Sequence, residues 1–190
     1  MPSTSEPPLF STRMRTLRRS TVREVMKAVG KGNTIISFAG GLPRPDLLPA
    51  DLVGRATAAV MKEKGPQALQ YGSTEGYYPL REYVAENVLA KRGIVARPED
   101  VLITAGSQQA LDLIAKIFVD PGSPVVVEDP TYMAALQAFE VFEPCFVPVR
   151  LESDGVDLSD CQEKLRQMKP RFFYTISTFQ NPTGACYTED

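Results

Sequence analysis

The stretch SPVVVEDPTYMAALQAF, residues 123–139, changes its texture at Asp129-Pro130. Val125, Val126 and Val127 form a β-branched run with no polar alternate, which suits a strand covered on both faces. The residues after the proline predict a helix over about 131–142. Working outward, the same strand-then-helix unit recurs. VLIT (101–104) predicts a buried strand, and Ser107 to Phe118 a helix that ends at Asp120-Pro121-Gly122. CFVPV (145–149) predicts a strand, Leu158 to Met168 a helix, and FFYTI (172–176) a further strand. Short apolar runs alternating with helices imply an α/β fold: a mainly parallel, doubly wound sheet flanked by helices.

Upstream, Thr21-Val22-Arg23-Glu24 has capping-box spacing, and Val22, Val25, Met26 and Val29 share one face before Gly30. This predicts a short amphipathic helix. IISFA (35–39) predicts a strand that leads into the turn Gly40-Gly41-Leu42-Pro43. Asp51 is placed to cap a helix running to about Lys64 and stopped by Gly65-Pro66. Pro79 suits the first position of a helix through Arg92, closed by Gly93. The expected organisation is an N-terminal arm with its short helix over 1–33, then the first part of a larger domain over 34–190.

With 190 residues, 43% of them hydrophobic, the chain is long enough to bury a core. A net charge of −2 gives no sign of a nucleic-acid partner, and no window reaches the roughly 20 apolar residues a membrane span needs. The absence of histidine excludes Ser-His and Cys-His nucleophile pairs and every His-ligated metal site. Cys145, Cys161 and Cys186 are scattered, as expected for free thiols in a reducing compartment, hence a cytoplasmic protein. The first 20 residues carry Arg13, Arg15, Arg18 and Arg19 against Glu6 alone. That composition suits either a transit peptide or an arm that orders against a partner surface, and the arm is the reading adopted.

Ligands of doubly wound sheets bind outside the carboxyl ends of the strands. Three polar segments fall at that edge: Ala105-Gly106-Ser107-Gln108-Gln109, Asp129-Pro130-Thr131-Tyr132 and Asn181-Pro182-Thr183-Gly184. Gly106-Ser107-Gln108 offers backbone N–H groups, a hydroxyl and a helix N-terminus, a combination that suits a phosphate. Ser107 is equally read as a plain helix cap. Tyr132 could stack on a planar ligand or simply pack half-buried. Asn181 precedes a proline that restricts its backbone, so its amide is aimed and could donate to an anionic oxygen; alone, an Asn-Pro turn explains it as well.

Taken in order, SFAGGLP (37–43), QYGSTEGYYPLRE (70–82), TAGSQQALDL (104–113), EDPTY (128–132) and YTISTFQNPTG (174–184) resemble the pyridoxal-phosphate (PLP) aminotransferases of fold type I, class I/II. The subgroup most resembled holds the 2-aminoadipate, kynurenine and aromatic aminotransferases, and the likeness runs from about Ser20 to Gly184. It implies an aspartate aminotransferase-like fold and a homodimer with shared active sites. Its reaction would move an amino group from an amino acid to a 2-oxo acid in amino-acid metabolism. By the same resemblance Ser107 and Gln108 would hold the cofactor phosphate, and Tyr132 would stack on its ring. Asn181 would bond the ring's phenolate oxygen beside the substrate, and Tyr71 would reach the neighbouring subunit's phosphate. Gly41 and Arg23 would line the substrate site.

In that family the Schiff-base lysine, the aspartate facing the ring nitrogen and the carboxylate-gripping arginine come after the Asn-Pro-Thr-Gly turn. Lys164 and Lys169 precede it, so no catalytic residue is expected among these 190 residues, which read as an N-terminal portion. Two other readings share the motifs: an aminotransferase-like effector domain of a transcription regulator, and a PLP lyase or decarboxylase. The tail ACYTED (185–190) predicts the start of a helix capped by Thr188.

Overall fold

The computed structural model describes Ser11, Arg13 and residues 41–188. The helix expected over 21–30, the strand over 35–39 and Arg23 lie outside the described residues. The described chain divides into two compact units at Thr104/Ala105.

In the first unit, helix α1 spans Ala50–Ala68. Pro49 rather than Asp51 stands at its N-cap, and its regular geometry breaks at Lys64 (φ −135°, ψ 19°), next to Gly65-Pro66. The expected stop is therefore a kink, after which one more turn forms. Helix α2 starts at Tyr78–Tyr83, with Pro79 in its first turn, and continues as a π-helical turn and a 3-10 turn to Arg92. Gly93, in the left-handed region at φ 74°, closes it. Gly76 permits the closest approach in this unit: a Cβ there would stand 2.7 Å from Ile103 Cβ. Beside it Ile103 N donates to Glu75 O at 2.9 Å.

The second unit holds the sheet. Helix α3 (Ser107–Phe118) leads to strand β1 (Pro124–Asp129), helix α4 (Met133–Glu140), strand β2 (Cys145–Arg150), helix α5 (Leu158–Met168) and strand β3 (Phe173–Tyr174). The strands are parallel in the order β2-β1-β3, with Val126 opposite Val147 on one side and Phe173 on the other. The bare apolar run of β1 is explained by its two covered faces. Val125 and Val127 pack with Leu111, Ala115, Val119, Ala135 and Phe139, which come from α3, α4 and the turn after α3. Val126 packs on the opposite face with Val147, Val149 and Cys161, the last from α5. Asp157 caps α5, its side chain accepting from Ser159 N and Asp160 N.

Two expectations need correction. VLIT (101–104) is not a strand of this sheet: Val101 is extended, but none of the four residues enters the β2-β1-β3 ladder. FFYTI contributes only Phe173 and Tyr174 to the ladder, because the Ile176 N–H turns to a side-chain carboxylate. The helix start expected at ACYTED, with Thr188 as its cap, would begin at residues 189 and 190, outside the described residues; Thr188 N–H bonds Asp154 O at 3.0 Å. Among the described residues no helix is long and apolar enough to cross a membrane, and no cluster of three or more metal-ligating side chains occurs.

Candidate functional site

The carboxyl ends of β1 and β3 lie together, and one buried carboxylate ties the segments that leave them to each other. Glu128, the fifth residue of β1, is 1% exposed. Its Oε1 accepts from Thr175 Oγ1 at 2.6 Å, Ile176 N at 3.1 Å and Tyr187 Oη at 2.5 Å. Its Oε2 accepts from Gln180 Nε2 at 2.8 Å. Gln180 is itself 1% exposed. The same amide nitrogen donates to Pro130 O at 2.9 Å, while Gln180 Oε1 accepts from Thr183 N at 3.0 Å and Thr183 Oγ1 at 2.8 Å. The backbone closes the turn: Gly184 N donates to Gln180 O at 2.5 Å and Gln180 N to Ala185 O at 2.8 Å. The Asp129–Pro130 and Asn181–Pro182 peptides are both cis.

This network presents Asn181, the residue after the buried Gln180, at the surface, where its side chain makes no hydrogen bond to another described residue. On the β1 side it fixes Pro130, two residues before Tyr132. Tyr132 is half-buried at the N-cap of α4, packed against the core. Burial pushes the Tyr174 phenol above its ordinary value, and the neighbouring Tyr132 and Glu128 add to that push. Burial and the bond to Glu128 push Tyr187 up to about 12.

The third segment joins through α3. Gly106 enters that helix at φ 82°, a conformation side chains resist, so Ser107 is its first residue and not its cap. No side chain caps α3, and no acidic residue stands in its first turn. Gln109 folds back to accept from Ala105 N at 2.6 Å, while Gln108 Nε2 donates to Ala134 O at 3.4 Å and so links the start of α3 to the start of α4. Ser107, Gln108, Tyr132 and Asn181 thus belong to one unit and one end of its sheet. Tyr71 and Gly41 belong to the other unit: Tyr71 is 99% exposed, and Gly41, also exposed, has φ 54°.

The donors present suit a phosphate at the start of α3 and a further anionic oxygen at Asn181. An uncapped helix N-terminus with a hydroxyl and an amide meets the first, and an unpaired amide the second. Thr131 Oγ1 is buried with no hydrogen-bond partner among the described residues, which leaves one more hydroxyl unsatisfied at this edge. Cys161 is no rival nucleophile, since burial pushes its thiol up. Glu128 and Gln180 received no role from sequence; the available signal was a carboxylate closing a run of valines that is covered on both faces.

The chain matches the family Aminotransferase class I and II over residues 39–190. It is 51% identical over 168 residues to the 2-aminoadipate transaminase of Thermus thermophilus, covering 88% of this chain and 41% of that protein. It is 43% identical over 185 residues to aromatic-amino-acid aminotransferase 1 of Thermococcus litoralis, covering 95% of this chain and 44% of that protein. Among solved structures it is similar to the Pyrococcus horikoshii kynurenine aminotransferase in complex with PMP, with a TM-score of 0.86 and 42% identity. That match covers 96% of this chain and 46% of the other. The chain therefore spans less than half the length of these relatives. The expected fold, the N-terminal part of an aspartate aminotransferase-like domain, is the fold these neighbours share. The chain belongs to the class I and II aminotransferases.

Proposed function

We propose that the protein these residues belong to is a PLP-dependent aminotransferase. It moves the amino group of 2-aminoadipate, an aromatic amino acid or a similar substrate to a 2-oxo acid. The convergence of the α3 N-terminus, Tyr132 and the Asn181 turn at one sheet edge carries this reading. Residues 34–190 are the first part of the PLP-binding large domain, after an arm and short helix over 1–33. The protein is cytoplasmic and a homodimer.

PLP, when bound, supplies the electron sink that labilises bonds at the substrate α-carbon. The chain's own residues bind and orient it. Ser107 Oγ, Gln108 Nε2 and the first N–H groups of α3 hold the phosphate, where the helix dipole favours negative charge. Tyr132 covers a ring face, and Asn181 Nδ2 donates to the phenolate oxygen. Tyr71, whose exposure leaves its hydroxyl available, reaches the phosphate in the neighbouring subunit. Gly41, Arg23 and Asn181 face the substrate.

Lys164 lies in α5 and Lys169 just after it. Lys164 Nζ donates to Pro148 O and Asp160, and Lys169 is the left-handed C-cap of α5. The resemblance puts the Schiff-base lysine after the Asn181 turn, which both of these precede. The test is made on the complete protein with PLP, 2-oxoglutarate and one amino donor at a time: 2-aminoadipate, tyrosine, kynurenine. Glutamate formation with stoichiometric keto product is expected. PLP binding with release of carbon dioxide or an eliminated side chain would replace transamination by a decarboxylase or lyase. No PLP binding at all would overturn the reading.

A further inference from the structure

We infer that Glu128, acting through Gln180, is a positioning residue that sets the Asn181 amide against the cofactor's phenolate oxygen. The inference rests on the reading of Asn181 proposed above. A carboxylate withdrawn from water this completely is costly unless donors meet both of its oxygens, and here three meet Oε1 and one meets Oε2. The donors are not a random set. Thr175 and Ile176 belong to the segment leaving β3, and Gln180 immediately precedes Asn181. The Gln180 amide is read at both ends: its nitrogen by Glu128 and Pro130 O, its oxygen by Thr183 N and Oγ1. Only one orientation of that amide satisfies all four partners, and Glu128 holds it together with Pro130 O and Thr183 N–H.

Glu128→Gln breaks this hold while nearly preserving shape. The new amide must keep its oxygen toward Ile176 N–H, because a backbone N–H cannot accept. Its NH2 then faces the Gln180 NH2, donor against donor. If the Gln180 amide flips to relieve that clash, its own NH2 faces Thr183 N–H and its oxygen faces Pro130 O. Neither arrangement satisfies the turn, so the segment 177–186 loosens and Asn181 loses its fixed aim.

Two influences of Glu128 on the cofactor can be separated by sign. A loosened Asn181 donates less well to the phenolate, and loss of a hydrogen bond to the charged form raises that group's pKa. Removing a nearby negative charge, by contrast, lowers the pKa of an anion-forming group. Positioning and simple electrostatics therefore predict opposite shifts.

The experiment uses the complete PLP-loaded enzyme with four variants: N181A, E128Q, E128Q/N181A and T183V. The bound cofactor's absorbance is titrated with pH, and amide hydrogen exchange of 177–186 is followed by mass spectrometry in the apoenzyme. N181A is expected to raise the cofactor's apparent pKa by on the order of one unit. E128Q is expected to raise it in the same direction, with faster exchange confined to 177–186, and the double variant to titrate like N181A alone. T183V removes a hydroxyl that donates to Gln180 Oε1 and accepts from Ala185 N, leaves the Thr183 N–H bond to Gln180 in place, and is expected to give a smaller rise of the same sign. If N181A shifts the titration but E128Q lowers it, leaves it unchanged or adds to N181A, the positioning role is overturned and the reading of Asn181 stands. If N181A leaves the titration unchanged, the reading of Asn181 falls and takes this inference with it. If E128Q does not fold, T183V decides, and an unchanged T183V titration overturns the inference.

Discussion

Phe139 joins the helix that presents Tyr132 to the strand that leads to Asn181, and its removal is expected to be the most damaging single truncation on this face of the sheet. The ring is 1% exposed. It meets Phe172 edge-on, with centroids 5.4 Å apart and planes at 67°, and Tyr174 at 5.6 Å and 79°. Phe139→Ala leaves a cavity that β1 and α3 cannot fill without moving, so the cost is about 3–5 kcal/mol. Phe139→Leu keeps much of the volume and forfeits both edge-to-face pairs. At about 0.5–1.5 kcal/mol each, these set an expected loss of about 1–3 kcal/mol. The assay is urea unfolding of the complete apoprotein, read as a midpoint shift at constant slope. A double-mutant cycle of Phe139→Leu with Tyr174→Leu isolates one pair, and a coupling of about 0.5–1.5 kcal/mol is expected. A coupling of zero, or a Phe139→Ala cost below about 1 kcal/mol, would refute the claim that these rings bolt α4 to β3.

Tyr132→Ala in the complete protein is expected to weaken PLP binding by about 1 kcal/mol, roughly five-fold, without abolishing folding; unchanged affinity in a spectroscopic titration would remove the ring from the site. The Asp157 carboxyl is held well below its ordinary value of 3.8, chiefly by the Ser159 hydroxyl, then by Asp160 N–H and Arg150. A depressed carboxyl stabilises the fold above its unfolded value and loses that contribution as pH falls. Asp157→Asn should therefore melt below the parent at neutral pH, with a gap that shrinks as the pH drops below about 4; a gap of constant size down to about pH 2.5 would contradict the capping role. Tyr187 works in the opposite sense. Its phenol, raised to about 12 from 10, contributes stability that is complete below pH 10 and lost as pH rises toward 12. Tyr187→Phe should flatten this part of the alkaline decline in unfolding midpoint, and an unaltered decline would place the titrating group elsewhere.

What the sequence disclosed depends on how local the governing interactions are. Ser107–Phe118 and Leu158–Met168 were readable because their periodicity and stop signals act within the segment itself. The β1 and β2 runs were readable because a strand covered on both faces admits few polar residues. VLIT carries the same apolar signal yet enters no ladder among the described residues, and a pairing choice between distant segments is not written in either one. FFYTI was overextended for a related reason, since the Thr175 hydroxyl and the Ile176 N–H go to Glu128, more than forty residues earlier in sequence. At the site, the segments that present Ser107, Gln108, Tyr132 and Asn181 were legible because turn chemistry is local. Glu128 and Gln180 were not, because a charged residue at a strand end and a glutamine before Asn-Pro ordinarily face water.

The two faces of the sheet divide the work. Val126, with Val147, Val149 and Cys161, uses α5 as cover, and α5 carries no residue assigned to the ligand. Val125 and Val127 use α3 and α4, which begin at Ser107 and just after Tyr132. Both helices on that face point their N-termini toward the strand carboxyl ends, where β-strand polarity and helix dipole favour the same anionic ligand. The only buried carboxylate at that edge among the described residues, Glu128, would oppose such a ligand by charge. It is tolerated because Thr175 Oγ1, Ile176 N and Tyr187 Oη donate to one of its oxygens and Gln180 Nε2, from the residue before Asn181, to the other.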